Sequence, residues 1–349
     1  MDFATLPMWA IVATFLAAAA VILVVGTLLA RVADRLADRT GLGEAMVGAV
    51  LLGGSTSLPG ITTSVTAAWW GQPEIAMSNA VGGIAAQSAF LAVADFFSRR
   101  ANLEHAAASV PNILHGTALV ALLGLVLLAG YTPEITFLSI HPVTPLLLLV
   151  YLGGLHLARG SRDAPQWMAR QTALTREDVP EPPKKEETLA GLWLKFATAA
   201  AVTAGAGWFV ARTGIAIADR TEISGSVVGA VFTAISTSTP ELITSIAAVR
   251  AGALTLAVAN VLGGNAFDVL FAAAADVAYR EGSIYHAIGN EERLLTSVSI
   301  VMAALLIAGL VYRERHGVAT SASKACSCSS CTSPPSPPWR SADDACLAY

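Results

Sequence analysis

Two polar stretches interrupt long apolar runs in the second half of the sequence. The first, STSTPELITS at 236–245, contains Glu241, and the second, ANVLGGNAFD at 259–268, ends in Asp268. A carboxylate at the centre of a membrane span costs about 3 kcal/mol on insertion scales, so such a group normally faces a cavity and marks an ion or proton route. Pro240 cannot donate a backbone hydrogen bond, and the hydroxyl groups of residues 236–239 can satisfy the freed carbonyls or share them with an ion. The pattern predicts two discontinuous helices whose breaks line a polar site.

The composition predicts an all-α, multi-pass membrane protein. Of 349 residues, 54% are hydrophobic and 13% are charged, and the mean hydropathy is +0.61. These values exclude an ordinary soluble enzyme. Apolar runs long enough to cross a bilayer lie at about 7–30, 44–69, 74–97, 108–130, 137–158, 189–211, 225–249, 254–278 and 292–312.

The sequence contains an internal repeat with an offset of 181 residues. STSLPG at 55–60 aligns with STSTPE at 236–241, and 25 of the 59 positions from 37 to 95 are identical to their counterparts, without a gap. Five spans separate each position from its copy, so the copies cross the bilayer in opposite directions. The sequence therefore predicts an inverted repeat of two five-helix halves, with a site near the midplane where the halves meet.

The repeated motifs, S-T-S-x-P-E followed by N-x-x-G-G-N-x-x-D, resemble the alpha repeats of the calcium/cation antiporter superfamily, which includes the sodium/calcium exchangers. The resemblance implies a ten-helix plan and alternating-access exchange of calcium for sodium or protons, with ligands from both repeats. It implies a transporter that is not an enzyme and has no cofactor. The implied partners are membrane lipid and the transported cations. The net charge of -4 gives no indication of nucleic-acid binding.

Carried over residue by residue, the resemblance places Glu241 at the calcium-binding acid of the second repeat and Asp268 at the later acidic or amide position. These two are the implied metal ligands. The full set of implied cation-binding residues is Glu241, Asp268, Thr237, Ser238, Thr56, Ser57 and Gln87. The residues expected to break helices are Pro59, Pro240, Gly82, Gly83, Gly263 and Gly264.

The first repeat departs from the family pattern, because Gly60 stands where the family has an acid and Ile84 where it has an asparagine. The pocket then offers at most two carboxylates, whereas tight calcium sites usually offer several. A weaker calcium site, a monovalent cation site and a proton-coupled site are all consistent with this set. We expect Gly60→Glu to raise calcium affinity. The alternative is a degenerate, non-transporting member with a structural or regulatory role.

Other interpretations apply to single residues. Hydroxyl side chains in membrane helices often bond the carbonyl four residues back, and Gln87 could bond across a helix interface. Asp95 and Asp276 lie near span ends beside Arg99 and Arg280, so we expect interfacial charges there. An intramembrane hydrolase that uses Glu241 and Asp268 is disfavoured, since no nucleophile accompanies them.

The predicted organisation is a first half at 1–158 with a degraded motif at 44–95, a linker at 159–188, a second half at 189–315 with its motif at 225–276, and a low-complexity tail at 316–349. Basic residues after the first and third runs and in the linker place the linker in the cytoplasm and the N-terminus outside. We expect the membrane to be the plasma membrane. All four cysteines lie in the tail, where a tenth span is expected. Shifting the frame would turn the cysteine codons, and the serine codons if these are of the TCN type, into apolar ones. We therefore predict a frameshifted, disordered tail.

Overall fold

The computed structural model describes residues 3–40, 53–97, 105, 107–163, 188–251 and 254–313. Within these ranges the chain is helical apart from short loops, and its one extended pairing is an isolated bridge between Phe137 and Ile140. The α-helices are α1 (Met8–Val21), α2 (Thr27–Thr40), α3 (Leu58–Trp69), α4 (Pro73–Phe97), α5 (Val110–Ala129), α6 (Val143–Asp163), α7 (Leu189–Arg220), α8 (Gly225–Val227), α9 (Ala234–Thr237), α10 (Thr239–Ala251), α11 (Leu254–Ala278), α12 (Ile284–Ala287) and α13 (Asn290–Tyr312). Wider, π-helical turns join α1 to α2 at Ile22–Gly26 and α8 to α9 at Val228–Thr233.

The helices confirm an integral, multi-pass membrane protein. Six of them in the described residues are long and apolar enough to cross a bilayer, and the bent pair Gly225–Thr237 and Thr239–Arg250 makes a seventh candidate. Helix α4 has 25 residues and extends over the third predicted run. Each of the nine predicted runs therefore corresponds to a helix or helix pair, although the second run is described only from residue 53 onward.

Helix α11 lies at the centre of the bundle. In its most apolar window 67% of the residues are buried, against 22% for Met8–Leu36 and for α7. It packs against α3, α4, α5 and α6. A helix that is apolar on all sides and surrounded by other helices is a core helix, so its one mid-span carboxylate, Asp268, is held inside protein.

The two prolines mark real interruptions, as predicted. The helix is interrupted for one residue at Ser57, immediately before α3, and again at Ser238, immediately before α10, although both serines keep backbone bonds to the residue four positions back. In the second case the two halves are bent by 47°. Proline is tolerated in the first turn of a helix, where its missing donor has no partner in any case, so Pro59 and Pro240 each begin a new helix.

The glycine pairs do not break helices, and that prediction was wrong. Helix α4 continues through Gly82 and Gly83, and α11 continues through Gly263 and Gly264. Gly82 allows close packing instead, since a Cβ there would lie 2.7 Å from the Cα of Ala230 in the neighbouring π-helical turn, whereas a Cβ on Gly263 would meet nothing within 4 Å. Small residues let membrane helices approach at backbone distance, which explains Gly82 without any interruption of the helix.

Asp276 differs from the expected interfacial charge. It is fully buried, and its carboxylate accepts hydrogen bonds from the backbone of His141 at 2.8 Å, the Thr144 hydroxyl at 2.6 Å and the backbone of Ile284 at 3.2 Å. Arg280 donates instead to the carbonyl of Leu138. Asp276 therefore fastens the loop before α6 to the loop after α11.

Several predictions concern parts of the chain outside the described residues. These are the side chain of Asp95, most of the linker and the tail at 316–349. The division into halves, the cytoplasmic linker and the shifted reading frame remain predictions.

Candidate cation site

The interruptions at Ser57 and Ser238 face each other across the centre of the bundle. The Ser57 hydroxyl donates to Oδ1 of Asp268 at 2.6 Å, and the amide nitrogen of Gln87 donates to Oδ2 of Asp268 at 2.6 Å. The same amide lies 3.4 Å from the Ser238 hydroxyl. In the repeat register Ser57 corresponds to Ser238 and Gln87 to Asp268. Matched positions thus meet in pairs, as expected if a pseudo-two-fold axis passes between Gln87 and Asp268.

The glycines of the second motif follow the same symmetry. A Cβ on Gly83 would lie 3.1 Å from the Ser238 hydroxyl and 4.0 Å from Oδ2 of Asp268, and one on Gly264 would lie 3.5 Å from Oε1 of Gln87. The missing side chains therefore leave room for the polar groups of the opposite repeat.

Glu241 lies in the first turn of α10 and is 7% exposed. Its carboxyl is close enough to Asp268 for the two charges to interact, and the Thr56 hydroxyl hydrogen-bonds to it. Its Oε2 atom is buried and has no hydrogen-bond partner in the described part of the chain. Glu241 is thus an acid held in protein with one oxygen free.

Three further buried oxygens in this region also lack partners among the described residues: Oε1 of Gln87, Oγ of Ser245 and Oδ1 of Asn265. Leaving a buried polar atom unsatisfied costs about 1–3 kcal/mol, so each such atom in a folded protein calls for a partner, either an ion or ordered water. Oxygen atoms of carboxylates, amides and hydroxyls are the ligands that calcium prefers. The donor set therefore fits a hard cation. A cluster of three or more acidic, histidine or cysteine side chains is absent from the described residues, so the charge of the site comes from two carboxylates.

Not every predicted residue faces the carboxylates. Thr237 donates to Oδ1 of Asn79 at 3.4 Å and to the carbonyl of Ala234 at 3.2 Å. The Thr56 hydroxyl donates to the carbonyl of Gly53 at 3.0 Å and also lies against the Glu241 carboxyl. The structure thus brings Glu241, Asp268, Ser57, Ser238, Gln87 and Thr56 together and leaves Thr237 at the edge of the site.

Asn79 and Asn265 were not among the predicted site residues. The Asn79 amide donates to the Gly60 carbonyl at 3.1 Å and to the Ser64 hydroxyl at 2.9 Å, and accepts from the Thr233 hydroxyl at 2.7 Å. It therefore ties the interrupted helices of the two repeats together. Asn265 donates to Ser88 at 3.1 Å and keeps its oxygen free. Both asparagines are fixed positions of the quoted motif, which was the signal that could have identified them.

Gly60 lies against an aromatic ring. A Cβ at this position would overlap with Cε2 of Phe271 and lie 2.9 Å from its Cζ. The space that a first-repeat acid would need is therefore occupied, and the expectation that Gly60→Glu alone raises calcium affinity is withdrawn.

Comparison with known proteins shows the family of the chain. Residues 10–157 and 190–323 match the family described as sodium/calcium exchanger protein. The chain belongs to this family. It is 28% identical over 271 residues to the inner membrane protein YrbG of Escherichia coli (strain K12), covering 76% of this chain and 79% of YrbG. It is 26% identical over 291 residues to the putative antiporter CaxA of Alkalimonas amylolytica, covering 82% and 84%.

Solved structures of exchangers share the fold. The sodium-calcium exchanger NCX_Mj superposes with a TM-score of 0.54 at 19% identity, over 88% of this chain and 92% of that protein. The H+/Ca2+ exchanger CAX superposes with a TM-score of 0.66 at 13% identity, over 89% and 79%. Family and fold together identify an exchanger-type cation antiporter, in agreement with the predicted superfamily.

Proposed function

We propose that the protein is a secondary active antiporter that exchanges calcium for sodium or protons by alternating access at the Glu241–Asp268 site. The observation that carries the proposal is the set of free buried oxygens beside these two carboxylates. The names of CaxA, NCX_Mj and CAX support cation exchange. The inner-membrane relative YrbG supports a location in the plasma membrane.

The charge of the site favours an electroneutral cycle. Glu241 and Asp268 together supply at most two negative charges, because Gly60 and Gln87 are uncharged. Asp268 accepts hydrogen bonds from two neutral donors, Ser57 and Gln87, which leave its charge uncompensated. An uncompensated charge in a buried site is expensive. One calcium ion or two monovalent cations neutralise the pair equally well, so we expect one calcium to exchange for two sodium ions or two protons.

In the non-transporting alternative, ordered water rather than a cation would satisfy these four buried oxygens, and the uptake experiment below separates the two.

Calcium-45 uptake into proteoliposomes that contain the purified protein tests the proposal. Vesicles are loaded with sodium, with acid, or with potassium at matched pH as the blank. We expect uptake above the blank in the sodium-loaded or the acid-loaded vesicles. The loading that supports uptake identifies the coupling ion. Uptake at the level of the blank in both arms would refute the antiport proposal. A potential set with valinomycin and potassium then tests electroneutrality: a rate that changes with its sign would refute the one-to-two exchange.

A further inference from the structure

Two glycines with matching positions in the repeat contact the two prolines that begin the interrupted helices. Gly26, at the end of the first π-helical turn, corresponds to Gly207 in α7, and Pro59 corresponds to Pro240. Gly26 packs against Pro240, and Gly207 packs against Pro59. The segments that contain Gly26 and Gly207 therefore each contact the proline of the opposite repeat.

Both contacts leave no room for a side chain. A Cβ on Gly26 would lie 2.7 Å from Cγ and 3.4 Å from Cβ of Pro240. A Cβ on Gly207 would overlap with the Thr62 hydroxyl and lie 2.6 Å from the carbonyl oxygen of Pro59. Neither a proline ring nor a backbone carbonyl can rotate away as the end of a long side chain can. Any side chain at these glycines must therefore displace the proline or the helix.

The second contact is reinforced by a hydrogen bond. The Thr63 hydroxyl donates to the Gly207 carbonyl at 3.0 Å, and both groups are buried. A side-chain bond to a backbone carbonyl of a neighbouring helix fixes the distance between the two helices as well as their rotation. Helix α7 is thus held at a set distance from Pro59.

Each proline is adjacent to a site residue. Pro240 precedes Glu241 directly, and Pro59 is two residues after Ser57, which donates to Asp268. A displaced proline would carry these groups with it. Metal ligands must keep their distances to within about 0.2 Å.

We propose that Gly26 and Gly207 are positioning residues for the cation site, each of which fixes the proline of the opposite repeat and, through it, Glu241 or Ser57. The role depends on the proposed function for its effect on calcium affinity, but the contacts themselves do not. The π-helical turn that ends at Gly26 holds the acid of the second repeat, and α7 holds the serine of the first. The site is therefore sensitive to side-chain size at two places that supply no ligand.

Calcium titration of three alanine variants tests the proposal. Gly26→Ala and Gly207→Ala are compared with Gly205→Ala, which lies on the same helix as Gly207, is exposed, and has nothing within 4 Å of its added Cβ. All three variants gain the same helix propensity, so only the contact differs. We expect a loss of affinity of about 10- to 100-fold for the first two, as for residues that orient metal ligands, and no change for Gly205→Ala. Equal affinities in all three would overturn the proposal.

Double variants distinguish positioning from a general loss of structure. We expect Gly26→Ala to overlap in effect with Glu241→Asp, and Gly207→Ala with Ser57→Ala, so that each matched pair loses less affinity than the product of its single losses. Losses that multiply in the matched pairs would show a merely structural role. If Gly207→Ala does not fold, Thr63→Val removes the hydrogen bond to the Gly207 carbonyl and adds no bulk. It should weaken calcium binding in the same direction, and an unchanged affinity would count against the proposal.

A cation-independent measurement keeps the two proposals separate. A hydrophobic carbodiimide modifies protonated carboxyl groups in apolar surroundings, and mass spectrometry quantifies the product at Glu241. We expect its yield to change in Gly26→Ala and to stay at the parental value in Gly205→Ala. If the parent binds no calcium, the antiport proposal fails, and this yield still decides the role of Gly26: a parental value in Gly26→Ala refutes it.

Discussion

Restoring the first-repeat acid requires removal of an aromatic ring as well as a substitution at Gly60. Gly60→Glu would place its Cβ in overlap with Cε2 of Phe271, 2.9 Å from Cζ and 3.3 Å from Cδ2. The ring cannot easily move away. Phe271 is 4% exposed and packs edge-on against Phe267 with ring centroids 6.5 Å apart, and Phe267 packs in the same way against Tyr151 at 5.8 Å.

The expected magnitudes follow from packing and charge. Inserting atoms into a filled core costs about 1–3 kcal/mol, so Gly60→Glu and Gly60→Ala should both lower the stability of the protein by this amount. Phe271→Ala alone should cost about 3–5 kcal/mol, because it leaves a cavity. In Gly60→Glu combined with Phe271→Ala, the new carboxylate occupies part of this cavity beside Glu241. We expect calcium affinity at least about tenfold above that of Phe271→Ala alone, which corresponds to 1.4 kcal/mol.

Calcium titration and thermal unfolding of the four variants measure these effects. Gly60→Ala carries the bulk without the charge and is the matched control for Gly60→Glu. A single Gly60→Glu variant that binds calcium more tightly than the parent would refute the block by Phe271. A double variant that binds no more tightly than Phe271→Ala would refute the idea that position 60 faces the cation site.

Three further predictions concern the acid Glu241, the amide Gln87 and His141, which lies in the loop before α6. Glu241→Gln should abolish calcium uptake while the exposed control Glu281→Gln keeps the parental rate, and uptake at that rate in Glu241→Gln would disprove the site. Gln87→Leu removes a free oxygen and the donor to Asp268, so titration should show calcium affinity reduced by about 10- to 100-fold; an unchanged affinity would contradict this. Burial lowers the pKa of His141, so the unfolded chain binds more protons and stability falls as the pH drops below about 6.5. Between pH 7.5 and 5.5 the melting temperature should fall less in His141→Asn than in the parent. Parallel curves of melting temperature against pH would show that His141 does not cause the loss of stability.

Hydropathy and proline placement were enough to predict the helices and the two interruptions. Runs of about 20 apolar residues have few alternatives to a membrane helix, and a proline in such a run cannot be accommodated without local rearrangement. The glycine pairs carried no such information. Gly82 and Gly264 serve inter-helix contacts in unbroken helices, and a sequence does not reveal which neighbour a helix approaches.

The site residues that were predicted are unusual in the sequence itself, whereas those that were missed are recognised only from their contacts in the fold. Glu241 and Asp268 stood out because a carboxylate in an apolar run needs a reason to be there. Asn79 is buried and makes bonds to both repeats, but apart from its fixed position in the motif the sequence does not show which groups its amide contacts. Phe271 looks like any core residue in the sequence, and only its position against Gly60 shows that the first-repeat acid site is closed.

The two repeats contribute different chemistry to one site. Both carboxylates come from the second repeat, whereas the first supplies the Ser57 hydroxyl, the Thr56 hydroxyl and the Gln87 amide that contact them. In the first repeat the Asn79 amide donates to Ser64. The serine that corresponds to Ser64 in the second repeat, Ser245, has no partner among the described residues. Charge is therefore concentrated on one half and hydrogen-bond donors on the other. Because the donors hold Asp268 in place from across the axis, any movement of one half relative to the other changes the ligand geometry. This is the property that an exchanger needs if cation binding is to be coupled to its change of access.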